Sequence, residues 1–314
     1  MQAVIIAAGL GTRLRPVTAA RSKAMVPVLG RPLVERAMLP LIANRVSDFV
    51  LVVSPDDGEI RSHFGDGANL GITIRFVVQR ERLGMAHALG LAAPYVGGRF
   101  LVSACDSLVS ATHVEALLAA AQEADAVLSL LDVEPDMVSR SAAVELDGLA
   151  VRQIVEKPRP EEAPSHTVSL PHYVFSPQVL DLLSEVQPSS RGEYEIQDAI
   201  QAVIDGGGRV VGVGAGSRVQ VSSPEDLLAL TRKLLRDMSE SGRFISGRVG
   251  RGTQLVEPLR IDDGVRIGDG CEIGPEVYLE SGCRIGHGAV VRGTIVLRGG
   301  RVADGETVED RVIT

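Results

Sequence analysis

Two patterns of hydrophobic and polar residues divide the chain near residue 240. Before that point, short apolar runs such as residues 4–8, 49–53 and 100–102 alternate with longer amphipathic stretches. Short, continuously apolar runs are typical of strands buried on both faces, and their alternation with helices is typical of a parallel sheet. The pattern predicts that residues 1–240 form an α/β domain, a three-layer α/β/α, Rossmann-like architecture with a mostly parallel sheet.

A different period begins after residue 244. Aliphatic residues then recur every six positions, at Val249, Leu255, Ile261, Ile267, Ile273, Leu279, Ile285, Val291 and Leu297, and glycine often follows them. A period of six fits neither a helix nor a hairpin, but it fits a β-helix in which each repeat forms one side of a coil. Residues 244–314 are therefore predicted to form a short parallel β-helix of about three coils. The period slips by one residue after Leu297, which predicts a capping coil.

Composition and charge narrow the classes of function. With a net charge of −8 and only 3% aromatic residues, the chain is not expected to bind nucleic acid. It has no apolar run long enough to span a membrane and no basic stretch before an apolar one at its start, so we expect neither a membrane span nor a signal peptide. The three cysteines form no Cys-x-x-Cys pair, which favours the reducing cytoplasm. The six histidines lack ligand spacing and are expected to be surface or packing residues.

A glycine-rich loop follows the first predicted strand. Gly9 and Gly11 would expose backbone N–H groups at the carboxyl edge of the sheet, where glycine permits close approach and positive φ. Arg13 and Lys23 add positive charge in the same neighbourhood. The loop lacks the third glycine of a dinucleotide-binding fingerprint, since Leu14 stands there, and it lacks the Gly-Lys-Ser/Thr of a Walker loop. These residues predict a loop that binds phosphate.

Longer motifs resemble those of the sugar-phosphate nucleotidyltransferases, also called nucleotide-sugar pyrophosphorylases. The family signature, Gly-x-Gly-Thr-Arg-Leu-x-Pro-x-Thr and then a lysine before a Pro-Val segment, matches residues 9–18 and 23–28. Further matching segments are Gln79 with residues 83–88, and residues 100–106, 156–158 and 191–198. Several family members also carry a C-terminal left-handed β-helix. The resemblance thus covers nearly the whole chain and implies that the predicted coils form a left-handed parallel β-helix.

The resemblance implies an enzyme that transfers a nucleotidyl group from a nucleoside triphosphate to a sugar-type phosphate and releases pyrophosphate. The implied catalytic residues are Arg13, Lys23, Asp106 and Lys157. The implied nucleotide-binding residues are Ala8, Gly9, Gly11, Thr12, Arg13, Lys23, Gln79, Gly84 and Asp106. The implied acceptor-binding residues are Ala142, Glu156, Lys157 and Pro171. Asp106 would bind Mg²⁺, which prefers carboxylate and phosphate oxygens, and the bare edges of a β-helix favour a homo-oligomer.

Three positions depart from the family pattern. Gln220 stands where relatives have a second metal-binding aspartate, and it remains a candidate ligand although a neutral amide oxygen is weaker for a hard cation. Ala142 and Pro171 replace glycines of the sugar pocket, and Pro171 has no N–H to donate. Two explanations stay open: the acceptor is a modified sugar or a cyclitol phosphate, or the chain is a catalytically impaired, nucleotide-binding regulatory homologue. The intact phosphate-binding cations favour the first.

Overall fold

The computed structural model describes residues 1–237 and 244–314. The chain divides into two compact units. We call residues 1–9 and 34–219 the sheet unit, and residues 10–33 and 220–314 the β-helix unit. The predicted boundary between domains 1–240 and 244–314 falls largely on residues 238–243, which lie outside the described residues, so it stays a prediction.

The strands of the first 220 residues are β1 (Gln2–Ile6), β2 (Pro27–Val28), β3 (Arg31–Pro32), β4 (Asp48–Val53), β5 (Thr73–Val78), β6 (Phe100–Ala104), β7 (Ser107–Leu108), β8 (Ala126–Asp132), β9 (Ala142–Asp147), β10 (Ala150–Glu156), β11 (Thr167–Phe175), β12 (Val210–Gly214) and β13 (Val219–Gln220). The helices are α1 (Leu33–Ala43), α2 (Gly58–Phe64), α3 (Met85–Ala92), α4 (Ala111–Ala120), α5 (Gln178–Leu182), α6 (Ile196–Asp205) and α7 (Pro224–Asp237). The later strands are β14 (Phe244–Ile245), β15 (Gln254–Leu255), β16 (Leu259–Ile261), β17 (Arg266–Ile267), β18 (Glu272–Ile273), β19 (Val277–Leu279), β20 (Arg284–Ile285), β21 (Val290–Arg292), β22 (Ile295–Val296), β23 (Arg301–Val302), β24 (Thr307–Glu309) and β25 (Val312–Ile313). None of the helices described here is long and apolar enough to cross a membrane.

The sheet unit is built on a mixed sheet. Within the described residues it contains nine strands in the order β5-β4-β1-β6-β11-β8-β12-β10-β9. Strands β5, β4, β1 and β6 are parallel, but β11 is antiparallel to β6 and β8, and β10 is antiparallel to β9 and β12. Strand β12 is parallel to β8, so only β10 and β11 run opposite to the other seven strands described, and the sheet is mostly parallel as predicted. The two residues between β9 and β10 form a tight turn, and a connection that short forces neighbouring strands to be antiparallel.

Strand β1 lies at the centre of the parallel half. Val4 pairs with Val50 on one side and Val102 on the other, and all three side chains are buried. A strand paired on both edges and covered on both faces has no place for a polar side chain, which explains its continuous apolar sequence. The parallel register also brings the carboxyl ends of β1, β4, β5 and β6 to one edge of the sheet.

The strands from β14 onward form the three faces of a parallel β-helix. Each strand pairs with the strand one coil later, as Ile261 does with Leu279 and Ile267 does with Ile285. The inward aliphatic side chains form a continuous core. The face that begins with β14 contains five of the described strands, which makes four coils and corrects the prediction of about three.

Both ends of the six-residue row differ from the prediction. Val249 is 38% exposed, so the inward row begins after it. At the other end, Val296 and not Leu297 continues the core, because its backbone pairs with that of Leu279. The slip of one residue therefore lies between Val291 and Val296, one repeat earlier than predicted. The slip falls at the corner between β21 and β22. The connection there is one residue shorter than in the regular repeat, and the strand pairing is kept.

One corner of the β-helix requires glycine because successive coils approach closely there. Gly250, Gly268 and Gly286 stack at this corner. A Cβ atom on Gly250 would lie 2.2 Å from the carbonyl oxygen of Gly268, and one on Gly268 would lie 2.7 Å from the backbone nitrogen of His287. These distances are well inside van der Waals contact. The glycine that follows the aliphatic residue is therefore needed for the spacing between coils.

We expect Gly268→Ala to destabilise the protein by about 3 kcal/mol, because the new methyl group must displace the next coil. Gly270→Ala is the matched control. Gly270 has φ of 70° but open space where its Cβ would lie, so its replacement should cost only about 1 kcal/mol. Urea unfolding of the full chain, followed by circular dichroism, measures both values. An equal loss of stability in the two variants would contradict the explanation that Gly268 is needed for the close approach of successive coils.

Candidate active site

Ala8 begins the glycine-rich loop just beyond β1. Its carbonyl oxygen accepts hydrogen bonds from the Ser54 hydroxyl at 3.1 Å and from Arg82 Nε at 3.0 Å, and Arg82 Nη2 donates to Ser54 Oγ at 3.2 Å. These bonds fix the start of the loop against the end of β4. Gly9 follows with open space around it and is exposed. Sequence reasoning missed Ser54 and Arg82, since neither stands in a recognised motif.

Residues 11–23 continue the loop within the β-helix unit. Gly11 has φ of 62°, the positive value that the loop was predicted to need, and its carbonyl oxygen accepts from the Thr18 hydroxyl at 2.9 Å. Thr12 and Arg13 are exposed, whereas Lys23 is only 9% exposed. The loop therefore offers the exposed cation of Arg13 and the largely buried cation of Lys23.

Gln79 follows β5 with its side chain buried. Its Nε2 donates to the carbonyl oxygen of Gly84 at 3.2 Å and lies 3.0 Å from His87 Nδ1. Because a carbonyl can only accept, the amide nitrogen must face Gly84, and Oε1 is the atom that can accept from a ligand. The structure thus brings Gln79 and Gly84 together. His87, expected to be a surface or packing residue, helps to orient the amide.

At Gly84 the backbone passes very close to the backbone of Tyr194. Its φ is 100°, and a Cβ there would lie 2.5 Å from the carbonyl oxygen of Tyr194. Tyr194 N–H donates to the carbonyl oxygen of Leu83 at 2.7 Å, and Ala86 N–H donates to that of Tyr194 at 3.0 Å. Two segments that the sequence matched separately, residues 83–88 and 191–198, are therefore joined by backbone hydrogen bonds.

Asp106 lies two residues beyond β6 and is half-buried. The buried ring of His172, from β11, braces the turn that carries it. Nδ1 of His172 lies 2.9 Å from Ser103 Oγ, and Nε2 lies 2.9 Å from Ser107 Oγ. Since these serines flank Asp106 in the chain, His172 ties the two sides of the turn together. Sequence reasoning missed this contact because it joins residues far apart in sequence.

Burial keeps the His172 ring neutral. It lowers the pKa of His172 from 6.5 to about 3; nearby His113 and Arg218 act in the same direction, and Asp106 opposes them. A neutral imidazole has one nitrogen that donates and one that accepts, which matches two hydroxyl partners that can each do either. His172 is thus a neutral brace beside a carboxylate.

Two of the predicted acceptor residues, Glu156 and Lys157, belong to a charged cluster. Glu156 ends β10, and Lys157 follows it with φ of 45°. Lys157 Nζ lies 3.0 Å from Glu156 Oε1, and Arg191 Nη2 lies 3.6 Å from the same oxygen and 2.7 Å from Glu195 Oε1. Burial raises the pKa of Glu156, while Lys157 opposes that shift. Sequence reasoning missed Arg191 as part of this cluster, although it stands in a matched segment.

The two residues that are expected to replace family glycines, Ala142 and Pro171, lie on neighbouring strands. Ala142 begins β9 and is buried, and its backbone pairs with Glu156 of β10 and with Ser169 of β11. Pro171 lies in β11 where the pairing register with β8 shifts. A proline is tolerated there because the ladder is already interrupted. Ala142 is thus paired directly with a member of the charged cluster.

Asp106 is the predicted carboxylate ligand for a metal ion. Across residues 1–237 and 244–314, no group of three or more His, Cys, Asp or Glu side chains could hold a metal by itself. Gln220, in β13, belongs to the β-helix unit and would add only a neutral amide. Mg²⁺ commonly takes one or two carboxylates together with substrate phosphates and water. A single carboxylate such as Asp106 fits a metal ion that is shared with a nucleotide.

Comparison with known proteins identifies the family. A family model described as nucleotidyl transferase matches residues 2–234, and one described as bacterial transferase hexapeptide matches residues 258–293. The chain is similar to UTP–glucose-1-phosphate uridylyltransferase AglF of Haloferax volcanii, with 33% identity over 77% of this chain and 99% of that protein. It is also similar to a glucose-1-phosphate thymidylyltransferase of Streptomyces antibioticus, with 30% identity over 85% of this chain and 74% of that protein.

A solved structure shows the same fold. The crystal structure of a UDP-glucose pyrophosphorylase complexed with UDP-glucose matches with a TM-score of 0.68 at 22% identity, and the match covers 75% of this chain and 98% of that one. An α/β/α fold with a glycine-rich loop after its first strand, followed by hexapeptide coils, defines a nucleotidyltransferase. The chain belongs to the nucleotidyl transferase family. The predicted resemblance and the predicted fold, including the left-handed β-helix, are confirmed.

We expect His172 to make the protein sensitive to acid. The unfolded chain binds a proton at this residue near pH 6.5, while the folded chain does so only near pH 3, so protons favour unfolding between these values. Lowering the pH from 7 to 5 should cost about 2 kcal/mol at this site. Urea unfolding measures the free energy of unfolding at both pH values. The decrease from pH 7 to pH 5 should be smaller in His172→Gln than in the wild type.

The control for this measurement is His166→Gln. His166 is exposed, so its replacement should leave the pH dependence of unfolding as it is in the wild type. Equal pH sensitivity in the wild type and His172→Gln would refute a neutral, buried His172.

Proposed function

We propose that this protein transfers a nucleotidyl group from a nucleoside triphosphate to a sugar 1-phosphate, or to a sugar-like cyclitol phosphate, and releases pyrophosphate. The product would be a nucleoside diphosphate linked to the sugar or cyclitol. The observation that carries the proposal is the cluster of Glu156, Lys157 and Arg191, because it supplies cations for a second anion besides the triphosphate. The family and the printed names of its members support the same reaction.

For this reaction the protein mainly has to position the two substrates, and it forms no covalent bond with them. An oxygen of the acceptor phosphate attacks the α-phosphorus of the triphosphate. The new P–O bond forms as the bond to the β-phosphate bridging oxygen breaks, and that oxygen leaves with pyrophosphate. Both substrates are anions, so the protein must hold them in line and neutralise their charge. Cations and N–H donors directed at the phosphates supply most of the rate enhancement.

The glycine-rich loop and its cations would bind the triphosphate. The backbone of Gly9, Gly11 and Thr12 would face the β- and γ-phosphates together with the exposed Arg13. Lys23 would reach the α-phosphate. Its low exposure supports this role, because a partly desolvated cation interacts more strongly with an incoming phosphate.

Gln79 and Gly84 would read the base. With Gln79 Nε2 bonded to Gly84, Oε1 is the atom offered to the ligand, and it suits a base that presents an N–H. Uracil and thymine do so at N3, and the relatives named above are a uridylyltransferase and a thymidylyltransferase. We therefore propose UTP or dTTP as the nucleotide.

Lys157 would hold the phosphate of the acceptor, and Glu156 would accept a hydrogen bond from one of its hydroxyl groups. Arg191 keeps Glu156 in the cluster and adds a second positive charge. Ala142 and Pro171 would shape the pocket for the ring of the acceptor. Since they replace family glycines, they support a modified sugar or a cyclitol in place of an ordinary hexose.

Members of this family generally use a divalent metal ion. We propose that Asp106 binds Mg²⁺ together with phosphate oxygens of the nucleotide, with Gln220 as a weaker candidate ligand. When bound, the ion would neutralise charge that develops on the phosphates. The brace from His172 holds the turn that carries Asp106 and thereby fixes where that carboxylate can act.

A regulatory homologue that binds nucleotide without turnover is the second candidate. Gln220 favours it, because this residue replaces an expected anionic ligand. A nucleotide sensor has no need for an acceptor cation, so the Glu156–Lys157 pair argues for the enzyme.

A homo-oligomer and a cytoplasmic location remain parts of the proposal. The β-helix offers exposed coil edges for association. All three cysteines are buried and none forms a disulfide among the described residues, as a reducing compartment would permit.

We expect the wild-type protein to release pyrophosphate from UTP or dTTP in the presence of Mg²⁺ and an acceptor phosphate. Lys23→Ala and Asp106→Ala should each lower kcat/KM by about 100- to 1000-fold, because each removes a group that stabilises phosphate charge. A coupled pyrophosphate assay over a panel of nucleotides, sugar phosphates and cyclitol phosphates measures this. The exposed Arg152→Ala is the control and should retain full activity. Full activity in Asp106→Ala would refute its proposed role.

We expect Lys157→Ala to raise the KM for the acceptor by about tenfold or more, because it removes the cation that holds the acceptor phosphate. The affinity for UTP, measured by calorimetry, should stay unchanged. Arg159→Ala is the matched control, since Arg159 is a neighbouring exposed cation bonded to Glu162. Tight UTP binding without turnover in the wild type, and no effect of Lys157→Ala, would favour the regulatory homologue.

A further inference from the structure

Residues 10–33 carry two of the proposed phosphate-binding cations, Arg13 and Lys23, and they belong to the β-helix unit. We propose that the β-helix holds this segment in the position that binds the nucleotide, and that Tyr278 and Glu280 are its positioning residues. This inference rests on the proposed function. It gives the C-terminal coils a role in substrate binding besides association between subunits.

Tyr278 makes the first contact. Val277 and Leu279, on either side of it in β19, face the core of the β-helix, so Tyr278 faces outward. An outward tyrosine on a coil is expected to be exposed, yet Tyr278 is 0% exposed. Its hydroxyl accepts from the backbone N–H of Gly30 at 3.0 Å and donates to Asp262 Oδ2 at 2.8 Å. Residues at the turn between β2 and β3 are therefore bound to the outer face of a coil.

The partners of Tyr278 are themselves fixed. Asp262 Oδ1 accepts from Arg260 Nε at 2.7 Å. The Arg260 guanidinium lies against Gly30, where a Cβ would be 2.1 Å from Arg260 Nη2. The β2–β3 turn thus contacts a hydrogen-bonded row made of Tyr278 in β19, Arg260 in β16 and Asp262 just after β16.

Glu280 makes the second contact, at the other side of Lys23. Arg21 Nη1 lies 2.8 Å from Glu280 Oε1, and the two side chains are only 7% and 14% exposed. The second oxygen of Glu280 accepts from the backbone N–H of Arg298 at 2.6 Å. Removing one member of a charge pair this buried leaves the other unpaired, which is far more costly than losing a surface ion pair.

Lys23 lies between these two contacts in a short stretch of chain. Arg21 precedes it by two residues, and the turn Lys23–Met25 leads directly to β2. Pro27 and Val28 pair with Pro32 and Arg31, so the segment beyond Lys23 is a small hairpin whose tip is held by Tyr278. The position of Lys23 is therefore fixed on both sides by side chains of the β-helix.

A phosphate-binding lysine works only if it is held in place before the substrate arrives. Displacement of a positioning element by about 1 Å can cost a large factor in rate. Loops become precise when rigid elements support them. The coils supply that support here, because β19, which carries Tyr278, is held by backbone pairing with β16 in the coil before it and with β22 in the coil after it.

The test uses Tyr278→Phe and Glu280→Gln in the full-length protein. Both variants nearly keep the size of the side chain. Tyr278→Phe removes the bonds of the hydroxyl to Gly30 and Asp262, and Glu280→Gln removes the charge that pairs with Arg21. We expect each to raise the KM for UTP by about tenfold while the KM for the acceptor stays within twofold of the wild type. Arg21→Gln should behave as Glu280→Gln does, and the double variant should be no worse than either single one, because all three lose the same pair. The matched control is Glu272→Gln, which breaks a glutamate–arginine pair on an exposed face, with Arg292.

Hydrogen exchange, followed by mass spectrometry, gives a readout that needs no activity. Tyr278→Phe should speed exchange in residues 26–33, including the Gly30 amide, and Glu272→Gln should not. Unchanged exchange would overturn the inference. Faster exchange with an unchanged KM for UTP would also overturn it, because the contacts would then be structural only. If the wild type turns over no substrate pair, the proposed function fails, and UTP affinity by calorimetry then replaces KM in deciding this inference.

Discussion

The parallel pairing of β1 with β4 and β6 is the constraint on which the rest of the site depends. Because these strands run in the same direction and in register, the chain emerges from each of them at the same edge of the sheet. Ala8 and Asp106 are neighbours there for that reason, although almost one hundred residues separate them in sequence. Gln79 reaches the same edge at the end of β5. Local contacts then refine each position, but the strand directions decide which residues can meet.

Many strands, the coils and the phosphate-binding motif were predictable because they depend on short-range patterns in the sequence. A strand buried on both faces must be apolar throughout, so residues 49–53 and 100–102 were recognisable as strands. The coils were predictable because one repeat has to stack on the next, which imposes the same residue type every six positions. The phosphate-binding motif was recognisable because a run of ten residues is far more specific than two glycines. The roles of the individual site residues remain predictions.

What the sequence did not predict depends on contacts between distant residues. His172 belongs to a site only because β11 runs antiparallel beside β6 and brings it next to Ser103. Arg191 reaches Glu156 only because of the way separate segments pack. The reversed direction of β10 depends on a two-residue turn after β9 that resembles any other surface turn. The slip in the β-helix also required the pairing of Val296 with Leu279, since Leu297 is just as apolar.

The path of the chain between its two units has a consequence for how relatives of this protein can be recombined. The chain leaves the sheet unit after Gly9 and rejoins it at Val34, and the intervening residues are packed with coils encoded more than two hundred positions later. A chimera that exchanged only the C-terminal coils would set a foreign surface against the native loop. The smallest transplantable module is therefore discontinuous, made of residues 10–33 together with the coils. We therefore expect a substitution at Tyr278 or Glu280 during evolution to be accompanied by a compensating substitution near Gly30 or Arg21. These two distant stretches of sequence should then vary together among related proteins.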